Sequence, residues 1–539
     1  RRSTTLLAAI IASCAMVLSL TACTSDNKTV VDGQTTVTSN SAGGVAVFTP
    51  SDGITLNQQM PLNKWAKLVP DLTKALVDAG FKKGDINHTT SDSLDKQSRA
   101  IQDFVVDHLS NNTTDDSGIA IAPDNMTLLV APVVEADAST RQYGDYVSQN
   151  LSTNDVTDEG ATSDGESSED DSSKDDSSNT ESDSTASDEQ AQAVDRLVSS
   201  LKLAKESGMH VVLLGNSIEG YKPDAFVKFS DAQTIGKLQA EKMVSKLKLD
   251  KASKDNPKYI EVLLPYTAMD EKGNANDSTF AQEAFRGIWQ VLGSYYQKGV
   301  VESPSGTLDG KSTENDWQAV AYDAAKEGST AKVLDKRLAK TDGQSTLTRI
   351  DGIITMNDYI ASEVVKELDD LGYTGSAADI NPQITISGIV GNITGKKDLS
   401  RDAVPDPIKS PENDNANDSS SSDDDADKDT SASDKDRDSQ WPLVTGYGAY
   451  VSNIPSIVNG KQWMTGMEDR QTIATDIAQA CAKLNKDEAL NSMPSIRNSE
   501  VGGVKKIPTI SEPLLAVSAS NLKSALIDPG YISLADAGL

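Results

Sequence analysis

Gly44-Val45-Ala46-Val47-Phe48, followed after a polar loop by Trp65, Leu68, Leu72, Leu76 and Val77 and closed by Gly80, decides how the chain reads. The first five residues are a short unbroken apolar run, the pattern of a strand buried on both faces. The second group recurs every three or four residues, which is one face of a helix, and glycine is its natural stop. The alternation continues. Residues 119–122, 211–214, 260–264, 352–355 and 384–387 read as further core strands. Between them, 232–247 places Ile235, Leu238, Met243 and Leu247 on one side of a helix, and 359–371 does the same with Ile360, Val364, Leu368 and Leu371 before Gly372. Strands alternating with helices predict parallel sheets covered on both faces. About five such units precede residue 250 and about four follow it, so the expected fold class is α/β with two Rossmann-like lobes. In open α/β sheets ligands bind beyond the carboxyl ends of the strands, which puts the expected site in the cleft between the lobes.

Charge separates this body from the rest of the chain. The 539 residues carry 81 acidic and 50 basic side chains, a net charge of −31 that disfavours the phosphate backbone of nucleic acid. Residues 151–190 hold a net −13 and residues 411–440 a net −8, so these two stretches account for −21 of the total. Both are rich in Ser and Asp and poor in apolar residues, the composition of disordered inserts that cannot offset the entropy of ordering. Within the second, Asp423-Asp424-Asp425-Ala426-Asp427-Lys428 superficially matches a calcium loop. Lysine at 428, where an EF-hand needs glycine for its turn, argues for a solvated insert instead.

The N-terminal segment reads as an export signal. Arg1-Arg2 precede a mostly apolar run from Leu6 to Leu20, shorter than a membrane span, which needs about 20 residues. It ends in Leu20-Thr21-Ala22-Cys23, which resembles the lipobox of bacterial lipoproteins. That resemblance implies a signal over 1–22, a diacylglycerol on the Cys23 thiol and a flexible tether over 23–43. Cys481 would then be the other cysteine of the mature chain. It sits in a helical apolar pattern with Ile473, Ile477 and Leu484, as a buried thiol would.

Five segments carry a family likeness. They are Asn63-Lys64-Trp65; Phe226-Val227-Lys228-Phe229-Ser230-Asp231 with Ile235 to Ala240; Met356-Asn357-Asp358; Val444 to Ala449 through Asn459 to Thr465; and Ile507-Pro508-Thr509 to Pro513 with Asn521 and Asp528 to Tyr531. In this order and spacing the chain resembles the type I periplasmic substrate-binding proteins of bacterial sugar ABC transporters, the xylose- and multiple-sugar-binding receptors above all. The likeness spans roughly 44–539 apart from the inserts. It implies two lobes joined by a three-strand hinge that closes around a ligand. On that pattern lobe one is 44–250 with an insert at 140–190, and lobe two is 256–465 with an insert at 404–440. Residues 466–506 then return to lobe one and 507–539 to lobe two. The resemblance further implies a monomer that captures a small sugar and hands it to a permease, with no catalysis, no cofactor and no metal.

Sugar recognition needs planar hydrogen-bonding groups and an aromatic face. Trp65 and Trp317 match cleft positions of the family and would stack on a pyranose, although Trp65 equally fits the apolar face of its helix. Asn357 and Asp358 follow a strand directly, and Asp358 could alternatively cap the next helix. Asn276 and Asp277 match another contact position, with helix capping before Phe280 as the alternative. The departures from the family pattern are informative. Gly215-Asn216-Ser217 stands where the family often has Asp-Arg, Tyr447-Gly448 where it has Gln-Asp, and Glu468 near a crossover lysine. Binding would therefore rest on Asn216, Asn357, Tyr447 and aromatics.

Catalytic signatures are missing from the sequence. It contains no His-Glu-x-x-His, Cys-x-x-Cys, phosphate-cradling loop or Gly-x-Ser-x-Gly, and its three histidines are scattered. The expected function is a lipid-anchored receptor on the outer face of the membrane. The alternatives are a receptor of the same fold for a nucleoside or signalling molecule, and an envelope interaction lipoprotein that has lost its ligand.

Overall fold

Every core strand of the first sheet alternates its side chains between two apolar layers. In β1 (Gly44–Pro50) Val45 and Val47 face one layer while Ala46 and Phe48 face the other. In β4 (His210–Leu214) Val212 and Leu214 oppose Val211 and Leu213 in the same way. Both faces are dry, so helices cover both. The computed structural model describes residues 42–51, 61–111, 121–134, 140–153, 181–269, 275–339, 346–378 and 439–539, and two short antiparallel strands, Val30–Val31 and Gln34–Thr35. Residues 42–539 form one compact unit, separate from 1–41.

The first sheet has seven strands. Besides β1 and β4 these are β2 (Ile86–Ser91), β3 (Met126–Val130), β5 (Ala225–Lys228), β11 (Ile496–Val501) and β12 (Val504–Ser511). Their order is β11-β12-β5-β4-β3-β1-β2, all parallel except the β11–β12 hairpin. Helices α1 (Trp65–Asp78) and α10 (Arg470–Leu484) cover one face, and α2 (Leu94–Asn111) and α3 (Glu181–Glu206) cover the other.

The second sheet has four parallel strands in the order β7-β6-β8-β9. They are β6 (Lys258–Val262), β7 (Val301–Glu302), β8 (Gly352–Ile354) and β9 (Leu443–Thr445). Around it lie α4 (Ala232–Lys246), α5 (Thr279–Gln297), the one-turn α6 (Trp317–Val320), α7 (Ser329–Arg337) and α8 (Asp358–Leu371), and the short α9 (Ile454–Val458) follows β9. The short strands β10 (Met464–Met467) and β13 (Leu515–Ser518) pair antiparallel beside it. The chain passes between the sheets at 229–231, 467–470 and 511–515. The α/β class, the two lobes and the number of crossings therefore match the sequence expectation, but the third crossing comes after Ser511 and not at the expected 507, because β12 still pairs with β5 in the first sheet.

Three further expectations need correction. The strand placed at 119–122 is Met126–Val130 instead, since Pro123-Asp124-Asn125 forms a short turn and pairing begins only after it. The expected boundary at 250 puts α4 in lobe one, but its buried residues Ile235, Leu238 and Met243 join the second core. The crossing is thus near 230. Two glycines explain this placement, because a Cβ on Gly236 would lie 2.2 Å from the Ala284 carbonyl and one on Gly287 2.0 Å from that of Gln233. Backbone meets backbone there, so the two glycines let α4 lie closer to α5 than side chains at those positions would allow. Third, residues 140–153, expected at the start of the first insert, pack into the body. Strand 384–387, the signal over 1–22, Cys23 and most of the insert at 404–440 lie outside the described residues. Cys481 is buried on α10, as expected, and burial pushes its thiol pKa up.

Gly287→Ala forces a methyl against that carbonyl, and overpacking of this kind costs about 1–3 kcal/mol. Urea unfolding of the variant should show that loss, whereas an unchanged midpoint would mean α4 does not sit against α5 this closely.

Candidate functional site

The carboxyl ends of both parallel sheets face each other across the crossings, and there the chain concentrates buried polar groups. Lobe one brings Asn63 and Lys64 at the start of α1, Asn216 after β4, and Ser230 after β5. Lobe two brings Asn357 and Asp358 after β8 and the turn 446–450 after β9. Asn63, Asn216, Ser230, Asn357 and Asp358 are all buried.

Glu468, in the second crossing, ties the lobes together. Its Oε1 accepts the Ser230 backbone N–H at 2.6 Å and the Tyr447 hydroxyl at 3.4 Å, while its own N–H donates to Asn63 Oδ1 at 3.4 Å. Ser230 and Tyr447 share a further hydrogen bond through their hydroxyls. Next to it, Arg470 donates to Asp71 at 2.8 Å and to the Leu62 carbonyl at 3.0 Å. Desolvation pushes the Glu468 carboxyl pKa up to about 7 and holds that of Tyr447 well above its ordinary value.

Asp358 organises the lobe-two floor. It accepts from Gln462 Nε2 at 2.7 Å, from the Tyr450 N–H at 2.9 Å and from the Thr465 hydroxyl at 2.9 Å. A Cβ on Gly446 would fall 2.2 Å from its Oδ1, so only glycine lets the turn come this close. Burial raises the Asp358 pKa to about 6, and the donated hydrogen bonds oppose that rise. Met356 and Ala449, on either side of this floor, hold positive φ of 69° and 51°. Non-glycine residues in that region carry strain of about 1–3 kcal/mol each, which here aims Asn357 and the 447–450 turn at the cleft.

Between the lobes lies a segment of the chain itself. Gln142 Oε1 accepts from Asn357 Nδ2 at 3.0 Å, and its carbonyl accepts the Tyr450 hydroxyl at 2.6 Å. The Tyr143 ring, 1% exposed, lies 4.7 Å from Phe280 and 6.2 Å from Tyr447, and it belongs to the lobe-two core. Gly144, at φ 98°, passes so near Asn63 that a Cβ would lie 2.5 Å from the Asn63 carbonyl. Asp145 then serves lobe one: Lys64 pairs with it at 2.7 Å and the Trp65 N–H donates to it at 3.1 Å, capping α1 from a distance. Tyr146 donates to the Lys64 carbonyl and stacks on Phe229 at 4.7 Å.

The residues singled out in the sequence fall into three groups. Asn357, Asp358 and Tyr447 meet at the cleft, the first as cap of α8 through Ile360 N–H at 3.0 Å and as partner of Gln142. Trp65 and Asn216 line the lobe-one side. Trp65, 2% exposed, packs edge-on against Tyr146 and Phe229, and Asn216 bonds the Pro132 carbonyl and the Gln149 N–H at 2.9 Å each. The third group stays within lobe two. Asn276 donates to the Thr267 carbonyl at 2.7 Å, Asp277 accepts from the Thr279 N–H at 2.9 Å, and Trp317 sits edge-on to Tyr266 at 5.1 Å. Among the described residues no cluster could hold a metal.

Sequence reasoning passed over Gln142, Tyr143, Asp145, Tyr146, Ser230 and Tyr450, and it read Glu468 only as a departure. A signal did exist: Tyr143-Gly144-Asp145-Tyr146 places two aromatics around a glycine beside a stretch of Ser and Asp. Disordered segments are poor in aromatics. At two buried donors of the cleft hydrogen bonding is incomplete: Asn63 Nδ2 has no partner, and the Tyr143 hydroxyl faces Asn357 without full hydrogen-bonding geometry.

No protein-family model and no curated protein matches the chain. Solved structures do. A solute-binding protein of an ABC transporter from Clostridium phytofermentans, with bound beta-D-glucose, is similar at 17% identity and a TM-score of 0.44, over 92% of this chain and 99% of that one. A carbohydrate-transporter solute-binding protein from Chloroflexus aurantiacus, in complex with D-glucose, is similar at 17% identity and a TM-score of 0.43, over 93% and 98%. A third, from Bacillus halodurans with bound myo-inositol, stands at 11% identity and a TM-score of 0.36, over 90% and 98%.

Glu468 gives the site a pH signature. Its folded-state pKa of about 7 exceeds the ordinary 4.5, so between those values the folded state holds more protons than the unfolded chain. Its stabilisation is full below about pH 4.5 and is lost as pH rises through about 7, on the order of 3 kcal/mol in all. Glu468→Gln keeps the acceptor for Ser230 and cannot ionise. The stability difference between variant and wild type should therefore grow in the variant's favour from pH 5 to pH 8, and a pH-independent difference would show that Glu468 is not buried in this way.

Proposed function

We propose that the chain is an exported, lipid-anchored receptor that captures a small polar solute, a carbohydrate first, in the interlobe cleft and delivers it to an import permease without catalysing a reaction. The observation that supports this is the convergence of two parallel sheets, through three crossings, on one cluster of buried amides, carboxyls and tyrosines. Such a cluster offers directional donors and acceptors for hydroxyls and aromatic faces for C–H groups. The lipobox at Leu20 to Cys23 supports anchoring. A second reading, an envelope interaction protein closed without a solute, draws support from Tyr143 and Gln142, which already occupy the cleft.

A thermal-shift screen against mono- and oligosaccharides, nucleosides included, separates the two. A receptor gains stability by RT ln(1 + [L]/Kd), so a true ligand at 100 times its Kd adds about 2.7 kcal/mol. A saturable rise with at least one solute is expected, and a flat response across the panel would favour the second reading. Cys23→Ala expressed in a bacterial envelope should move the protein from the membrane fraction to the soluble one. Retention in the membrane would remove the lipid anchor from the proposal.

A further inference from the structure

We propose that Gln142–Tyr146 is a tethered occupant of the cleft: the Tyr143 ring fills the ring-sized place that a solute would take, and its removal both empties that place and lets the lobes part. This rests on the reading of the cleft as a solute site and names what governs it. Three observations carry it. Tyr143 enters from the chain that follows β3 of lobe one, yet it is buried against Phe280 and Tyr447 of lobe two. Gln142 presents a side-chain oxygen to Asn357 and a main-chain oxygen to Tyr450, so two lobe-two donors at the cleft are met by this segment itself. Asp145 and Tyr146, within three residues, are bound to lobe one through Lys64 and Trp65. One short segment thus grips both lobes without being one of the three crossings.

The chemistry of the place follows from its present occupant. A six-membered ring fits against Phe280 and Tyr447, and beside it lie the Asn357 amide and the Tyr450 hydroxyl, donors that Gln142 now engages and that a solute would take over when the segment is displaced. A pyranose meets those requirements, and so does the segment that is there now. Solute and strap compete, so the wild-type protein binds a pyranose more weakly than a chain whose strap lacks the ring.

The test uses the full chain, Tyr143→Gly, and two probes: p-cresol, which is the deleted side chain as a free molecule, and D-glucose. Small-angle scattering reads lobe separation, thermal denaturation reads occupancy, and calorimetry reads affinity. The variant should have a larger radius of gyration and a lower melting temperature than wild type, and millimolar p-cresol should reverse both in the variant while leaving wild type unmoved. An unchanged radius, or a variant indifferent to p-cresol, overturns the tethered occupant. Gln142→Ala, which keeps the ring, guards against a misfolded variant: it should expand partially, and wild-type dimensions in it count against the strap. The D-glucose arm addresses the solute reading separately. At least tenfold tighter binding by Tyr143→Gly supports both proposals, and equal binding by both chains overturns the strap alone. Rescue by p-cresol with D-glucose inert supports the strap and tells against D-glucose as the solute.

Discussion

The arrangement depends on one buried carboxylate. Glu468 lies in a crossing between lobes and accepts from the backbone of another crossing and from a lobe-two tyrosine, while its own N–H reaches Asn63 at the start of α1. A carboxyl taken out of water costs several kcal/mol unless donors meet it. Here those donors come from both sheets, so separating the lobes would leave it unmet. The group that makes the hinge expensive to bury also fixes the register in which the two sheets face each other.

Asp358 solves the same problem inside lobe two. It accepts from donors at 450, 462 and 465, which binds the turn after β9 and the start of β10 to the first residue of α8. The left-handed residues Met356 and Ala449 are tolerated because this network over-determines them. Asn357 is thereby aimed outward from a rigid floor, and what it meets is Gln142. The cleft combines a preorganised lobe-two wall with an occupant supplied by lobe one.

Much of the fold was legible because the apolar period changes cleanly between strand and helix, as at Gly44–Phe48 and Leu68–Leu76. The helix at 359–371, with Gly372 as its left-handed stop, falls where its spacing predicts. The strand at 126–130 was missed because Met126-Thr127 interrupts an apolar run with a hydroxyl, and that hydroxyl finds Asn485, far away in the chain, at 2.6 Å. The membership of α4 was missed because glycine spacing on two helices, not hydrophobicity, decides which helix it meets. Of the site, residues directly following strands could be named from sequence, since topology alone puts them at the cleft. Tyr143 could not, because it follows its strand by thirteen residues and sits at the margin of a charged stretch whose composition hid it.

Occupancy by a tethered group changes what an affinity means. A short flexible tether holds its group at an effective concentration of roughly millimolar, whereas a solute arrives at whatever concentration the surroundings offer. The apparent affinity is the intrinsic one reduced by the fraction of molecules whose strap is out. If the strap is out in one molecule in about a hundred, a solute with micromolar intrinsic affinity behaves as a ligand of roughly hundred-micromolar strength. Closure then does not report solute by itself, since strap and solute both hold the lobes together. A partner that recognises the closed form sees solute only through what the displaced segment exposes. Between the strap and the acidic stretch at 151–190, Gln149 bonds Asn216 and Asn150–Leu151 pairs with Ser217–Ile218, so lobe one holds the root of that charge whether the strap is in or out.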